Sequence, residues 1–248
     1  MEVSLTEFVV VLVALAVGAF VKGLTGNGLP QLAIPVMALF IGIEKAVIIM
    51  SIPGVVSNIW LVVEHADARP ETRDLKALVA TGVVGTAVGT VLLTTIDARW
   101  LSLVLAALIV AYVVLRLRRP ETLISPAVSA WLSPPVGLAS GALQGATGVS
   151  GPLLSTYVYT FGLGPSAYIY SVSVLFLVYA VVQAATLVVI GAYTTTLVVL
   201  GFLSLIPVFV MLPLGSRMSR RLQAETFSKV VMATLVAAAI ALVVKALA

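Results

Sequence analysis

The chain has 248 residues, of which 61% are hydrophobic and only 10% are charged, and its net charge is +4. A soluble domain carries roughly 25% charged residues, so this composition excludes an ordinary soluble fold and predicts a protein surrounded by lipid. The positive charge therefore does not indicate a nucleic-acid partner. Because the chain has no cysteine and one histidine, thiol chemistry and zinc–thiolate sites are excluded, and we expect no metal, cofactor or catalytic residue.

Hydrophobic runs bounded by charged residues, glycine or proline follow one another along the whole chain. Most reach the roughly 20 residues that a helix needs to cross about 30 Å of hydrocarbon. They predict an all-α polytopic membrane protein of about ten segments, at 5–22, 29–43, 45–64, 75–96, 98–116, 128–146, 152–163, 166–190, 195–215 and 225–247.

Two segments contain short runs that begin with proline after a glycine-rich stretch, at 30–42 and 152–163. At about 1.5 Å per residue each covers only about 20 Å. Each forms either a full crossing or one arm of a re-entrant hairpin. The short length favours half-helices that meet near the middle of the bilayer.

The short segments occupy matching places in an internal duplication. A shift of 122 residues, and of 126 further along, aligns glycine, proline and hydroxyl residues of the two halves. We therefore expect two repeats, 1–120 and 121–248, within one membrane domain. Each repeat consists of a broken or re-entrant helix pair followed by three long helices. The aligned pairs include Gly23 with Gly145, Thr25 with Thr147, Gly26 with Gly148, Pro30 with Pro152, and Ser51 with Ser173.

Ten of the 14 Lys and Arg residues fall in three connections, which predicts that these connections face the cytoplasm. Both chain termini then lie outside. Because each half crosses the membrane an odd number of times, the second repeat is predicted to be inverted relative to the first. The three clusters are Arg69, Arg73 and Lys76; Arg116, Arg118 and Arg119; and Arg217, Arg220, Arg221 and Lys229.

The two glycine-rich breaks are the candidate binding site. Each ends at a predicted helix start, where free backbone N–H groups and the positive end of the helix dipole favour an anion, as in broken-helix transporters. The alternative is that the glycines only permit close helix packing. The predicted substrate-binding residues are Lys22, Thr25, Gly26, Asn27, Gly28, Gln31, Gln144, Thr147, Gly148, Val149, Ser150 and Gly151, with Ser51, Asn58 and Ser173 around them.

Lys22 has two interpretations. Deep in the membrane it costs about 2.5–3.5 kcal/mol unless it is paired, and a bound anion would offset this cost. In a fully spanning first segment, Lys22 would instead anchor at the interface and extend to water.

An enzyme is the alternative from another class, because Gly148–Gly151 matches the G-x-S-G pattern of rhomboid intramembrane proteases. A serine nucleophile needs a base within hydrogen-bond distance. The single histidine, His65, lies in a strongly charged segment that belongs in water. We therefore disfavour hydrolysis.

The repeated Gly-x-Thr-Gly breaks before proline, the short segments after them and the arginine-rich connection resemble the sulfite exporter family TauE/SafE. The resemblance covers nearly the whole chain. It implies a multi-pass permease of the bacterial inner membrane for sulfite, organosulfonates or related sulfur oxyanions, without enzymatic activity. Export is the expected direction, and ion-coupled uptake of a related anion is the alternative. The expected partners are a small anion and the lipid bilayer, and a homodimer stays open.

Overall fold

The protein is described by a computed structural model over residues 4–118 and 123–219, with residues 236, 239–244 and 246 of the last segment. These described residues form helices and connections without a β-strand. A 3₁₀ helix follows α3 at Ala66–Glu71. The helices are α1 (Leu5–Thr25), α2 (Leu29–Ile41), α3 (Ile43–Glu64), α4 (Leu75–Thr95), α5 (Ala98–Arg118), α6 (Pro126–Thr147), α7 (Gly151–Tyr159), α8 (Pro165–Val189), α9 (Thr195–Leu203) and α10 (Leu205–Ser219).

The all-α prediction is confirmed for this part of the chain, and the predicted segments match the helices closely. Among the described residues, five helical stretches are long and apolar enough to cross a membrane, and the fifth of these, Thr195–Met218, consists of α9 and α10 together. The predicted segment 195–215 is thus interrupted at Ser204. Most of the predicted segment 225–247 lies outside the described residues.

Both predicted breaks end a helix in the same way. The first residue after α1 is Gly26 (φ 75°) and the first after α6 is Gly148 (φ 70°). Their N–H groups donate to the carbonyls of Lys22 and Gln144, each at 2.7 Å. Because glycine adopts this left-handed conformation without steric cost, each helix can stop abruptly. After two further residues a short helix begins, at Leu29 and at Gly151, with proline as its second residue.

Close backbone contacts hold the helices together. Helix α4 packs along α6, α1 packs along α10, and α3 packs along α8. A Cβ atom on Gly85 would lie 2.1 Å from the carbonyl oxygen of Leu138, so α4 and α6 can approach this closely only with glycine at that position. Gly23 faces the Leu212 carbonyl of α10 in the same manner. Gly89 of α4 likewise faces the Ala142 carbonyl of α6, whereas Gly82 faces the Tyr179 ring of α8.

Candidate functional site

The starts of α2 and α7 lie against each other. The Asn27 amide donates to the Ser155 hydroxyl at 2.6 Å, joining the first break to a residue 128 positions away. The side-chain amide of Gln31 occupies the space beside Gly151, where a Cβ atom would lie 1.5 Å from Gln31 Nε2. The two breaks predicted from the repeat therefore meet in space.

The threonines of the two breaks have equivalent contacts. The Thr25 hydroxyl lies within hydrogen-bond distance of the Val21 and Asn27 carbonyls, at 3.0 and 2.5 Å. The Thr147 hydroxyl bonds the Leu143 and Val149 carbonyls at 2.8 and 3.3 Å. Both predicted site threonines thus stabilise the backbone of their own break.

The helix starts themselves keep hydrogen-bonding capacity. No side chain caps the first turn of α2, which begins after Gly28, or of α7, which begins after Ser150. Asn27 Oδ1 accepts the Gly28 N–H at 2.8 Å. Gln31 is 3% exposed, yet its Nε2 has no hydrogen-bond partner in the described part of the chain. A buried unpaired donor costs about 1–3 kcal/mol. A ligand with a hydrogen-bond acceptor would therefore bind favourably beside Gln31 Nε2, at the start of α2.

Lys22 lies inside the protein, with 2% of its surface exposed. Its ammonium donates to Asn58 Oδ1 at 2.5 Å and lies 5.9 Å from the centre of the Phe176 ring. Among the described residues no carboxylate is within salt-bridge distance of it. A side chain that extends to interfacial water would be exposed, so the anchor interpretation of Lys22 does not fit.

A cavity of about 20 Å³ lies beside the Lys22 ammonium. This volume holds about one water molecule, so the cavity is too small for a polyatomic anion in this conformation. Its walls come from both halves of the chain: Lys22, Pro30, Met50, Ser51, Gly54, Asn58, Gln144, Phe176, Ala180 and Gln183. Lys22 and Gln144 occupy matching positions in the two halves, and their carbonyls accept the N–H groups of Gly26 and Gly148. Both residues line the cavity.

Residues 10–242 match the family described as sulfite exporter TauE/SafE. The chain belongs to this family. No curated protein and no solved structure matches it significantly. The assignment agrees with the resemblance seen in the two breaks, and with the apolar helices it identifies a multi-pass membrane protein of a transporter family.

One polar residue of this TauE/SafE protein was missed by the sequence analysis. Gln183 of α8 donates through Nε2 to the carbonyls of Gln144 and Gly145, at 2.8 and 3.1 Å. Gln144 in turn donates to Gln183 Oε1 at 3.3 Å and accepts from Ser150 at 2.9 Å. The available signal was a single glutamine within the apolar run of α8.

Of the three residues predicted around the site, two line the cavity and one does not. Asn58 and Ser51 line the cavity, and the Ser51 hydroxyl lies 2.6 Å from that of Tyr193. Ser173 is fully buried but does not line the cavity, and in the described residues its hydroxyl has no partner.

The serine of the G-x-S-G pattern is not arranged as a nucleophile. Ser150 is 1% exposed and donates its hydroxyl proton to the Gln144 amide oxygen rather than to a base. His65 follows the last residue of α3, next to the charged 3₁₀ helix. This geometry agrees with a transporter family.

Proposed function

We propose that this TauE/SafE protein exports sulfite, an organosulfonate or a closely related sulfur oxyanion, through a site between the starts of α2 and α7. The family description supports the substrate class. The uncapped starts of α2 and α7 and the unpaired Gln31 amide support an anion, because helix N-termini bind negatively charged groups. The predicted substrate-binding residues of both breaks are part of this proposal.

The buried ammonium of Lys22 carries the proposal. An isolated charge in a low-dielectric interior is strongly unfavourable unless a counter-charge accompanies it. Asn58 supplies only a neutral amide oxygen. A transported anion would supply the missing charge next to the cavity, and the unpaired side-chain amide of Gln31 at the start of α2 would donate to one of its acceptor oxygens.

Inverted repeats and alternating access complete the mechanism. The first segments of the two halves are α1 and α6, and the fourth are α4 and α9–α10. Contacts of α1 with α10 and of α4 with α6 are what a two-fold axis in the membrane plane would produce, with α3 and α8 meeting at the axis. Rocking of one repeat against the other would then open the occluded cavity to each side in turn.

Electrostatics favour export. If the arginine-rich connections face the cytoplasm of a bacterial inner membrane and both termini are periplasmic, the potential is negative at the arginine-rich side. Each 100 mV then drives a monovalent anion outward with about 2.3 kcal/mol. No carboxylate lies within salt-bridge distance of Lys22 among the described residues, so no acidic partner for proton coupling is evident beside it.

The test is sulfite efflux from proteoliposomes that contain the Lys22→Gln variant. Removing a charge-assisted interaction of about 1.5–3 kcal/mol should slow efflux by about 10- to 100-fold. Lys76→Gln is the matched control, because Lys76 is an exposed lysine at the start of α4. Efflux at the wild-type rate from folded Lys22→Gln protein would refute the proposed site.

A further inference from the structure

A second concave surface lies between α3 and α10, away from the proposed transport site. We call it the α3–α10 groove. It has a volume of about 580 Å³, within the range of about 300–1,000 Å³ for ligand sites, and is lined by Val56, Ile59, Trp60, Val63, Glu64, Phe209, Pro213, Ser216 and Arg217.

Helical periodicity separates the groove from the cavity beside Lys22. With 3.6 residues per turn, Val56, Ile59 and Val63 lie on the opposite side of α3 from Gly54 and Asn58, which line the cavity. Val63 is 70% exposed. The groove therefore opens on the lateral, lipid-facing surface of the protein and is not a route to the cavity.

The groove is apolar along most of its length and polar at one end, where α3 and α10 finish. Glu64 is the last residue of α3 and Arg217 lies in the last turn of α10. The Glu64 carboxylate accepts one hydrogen bond from the Trp60 indole at 3.1 Å and one from the Ser216 hydroxyl at 2.6 Å. A carboxylate has about four acceptor positions, so Glu64 retains two.

The two charges at this end do not neutralise each other. Within the described residues, no carboxylate lies within 4.0 Å of the Arg217 guanidinium, although Glu64 lines the same groove. Both side chains are exposed. An occupant that fits must therefore present an anionic group, a cationic group and a long apolar part.

We infer that the α3–α10 groove binds a phospholipid whose head group carries a primary ammonium, as phosphatidylethanolamine does. Its phosphate contacts Arg217, its ammonium donates to Glu64, and one acyl chain lies along Val56, Ile59 and Phe209. The Trp60 ring lies at the junction of polar and apolar parts, where interfacial tryptophans are enriched.

Charge complementarity selects this lipid among those of a bilayer. Sites for anionic lipids are clusters of basic residues, whereas the described residues that line this groove offer one cation and one anion. A choline head group has no N–H to donate to Glu64. A second copy of the chain would have to place an anionic and a cationic side chain against Arg217 and Glu64. The experiment below detects this case.

The test uses Trp60 as the reporter, in a Trp100→Phe/Trp131→Phe variant that keeps Trp60 as the single tryptophan of the chain. Nanodiscs receive phosphatidylethanolamine or phosphatidylcholine with brominated acyl chains, which quench tryptophan fluorescence on contact. Brominated phosphatidylethanolamine should be preferred about fivefold at Trp60, as one extra charge contact near the membrane surface implies.

Matched variants separate the two contacts. In Glu64→Gln the amide oxygen can still accept from Trp60, and the Ser216 hydroxyl can turn to accept from the amide nitrogen, but the preference for the ethanolamine lipid should be abolished. Arg217→Gln should weaken quenching by both lipids, because both carry a phosphate. As a positional control, a Trp60→Phe/Trp131→Phe variant retains Trp100, which is 63% exposed outside the groove, and should show no preference.

Three outcomes would overturn the inference. They are equal quenching of Trp60 by the two lipids, a preference that survives Glu64→Gln, and absence of quenching because a second copy of the chain covers the groove. None of these measurements depends on transport, so the inference and the proposed function fail separately.

Discussion

The hydrogen bond from Lys22 to Asn58 orients the Lys22 amino group without giving it a carboxylate partner among the described residues. Asn58 Oδ1 accepts from Lys22 at 2.5 Å, and Asn58 Nδ2 donates to the Gly54 carbonyl at 2.8 Å. The second bond fixes the rotation of the amide, so its oxygen faces the ammonium. The neutral Asn58 amide accepts one hydrogen bond from Lys22 Nζ and leaves the remaining N–H groups available for an anion at the cavity.

Asn58→Asp should convert this hydrogen bond into an internal ion pair. The new carboxylate would compete with a transported anion for Lys22, and we expect the KM for sulfite efflux to rise about tenfold or more. The variant should remain folded because both charges are paired, which thermal unfolding in detergent checks. An unchanged KM in the folded variant would contradict the proposed role of Lys22.

Residue identities at the breaks, and Asn58 as a residue near them, could be predicted from the sequence, but which side chains bond to one another could not. Lys22 and Gln144 were found because the two breaks repeat each other. Asn58 lies 36 positions from Lys22, and Gln183 lies 39 positions from Gln144. Such contacts depend on how each helix is rotated about its own axis. Because α3 and α8 are apolar on nearly all sides, the pattern of hydrophobic residues does not predict that rotation.

At the scale of elements, glycine sets the distance between helices. Gly85 contacts the Leu138 carbonyl, and Gly141 of α6 contacts the Gly82 carbonyl from the other side. Without a hydrophobic force between helices in lipid, such close backbone packing supplies much of the association. Gly23 and Gly215 repeat the arrangement between α1 and α10.

Gly85→Ala should destabilise the protein by about 1–3 kcal/mol, because its methyl group would force α4 away from α6. The midpoint of thermal unfolding in detergent measures the effect. Gly164→Ala is the matched control: φ at Gly164 is −60°, and a Cβ atom there would have Glu71 at 3.8 Å as its near neighbour. Equal midpoints for the two variants would contradict the packing role of Gly85.

Helix boundaries could be predicted wherever the chain marks them chemically. Gly26 before Pro30 and Gly148 before Pro152 mark both breaks, since only a few residue types fit a left-handed cap or a proline helix start. The interruption at Ser204, between α9 and α10, lies between Gly201 and Pro207, which are six residues apart, whereas the glycine and proline of the two breaks are four apart. No charged residue marks this interruption, and the predicted segment 195–215 therefore continued through it.

At the scale of the whole molecule, the two halves contribute unequally to one cavity. Lys22 and Gln144 occupy matched positions and both line it, but only the first is charged. Helix α2 has 13 residues and α7 has 9. The proposed site is therefore a single anion site shared by both breaks, with its positive charge supplied by the first half.

The most direct test exchanges the matched residues and measures equilibrium binding of radiolabelled sulfite to the purified protein. Lys22→Gln alone should weaken binding about tenfold or more. In the Lys22→Gln/Gln144→Lys double variant, a lysine side chain lines the same cavity from the other break. The affinity for sulfite should therefore recover most of the loss seen in Lys22→Gln. A folded double variant that binds no better than Lys22→Gln alone would contradict a single site shared by the two breaks.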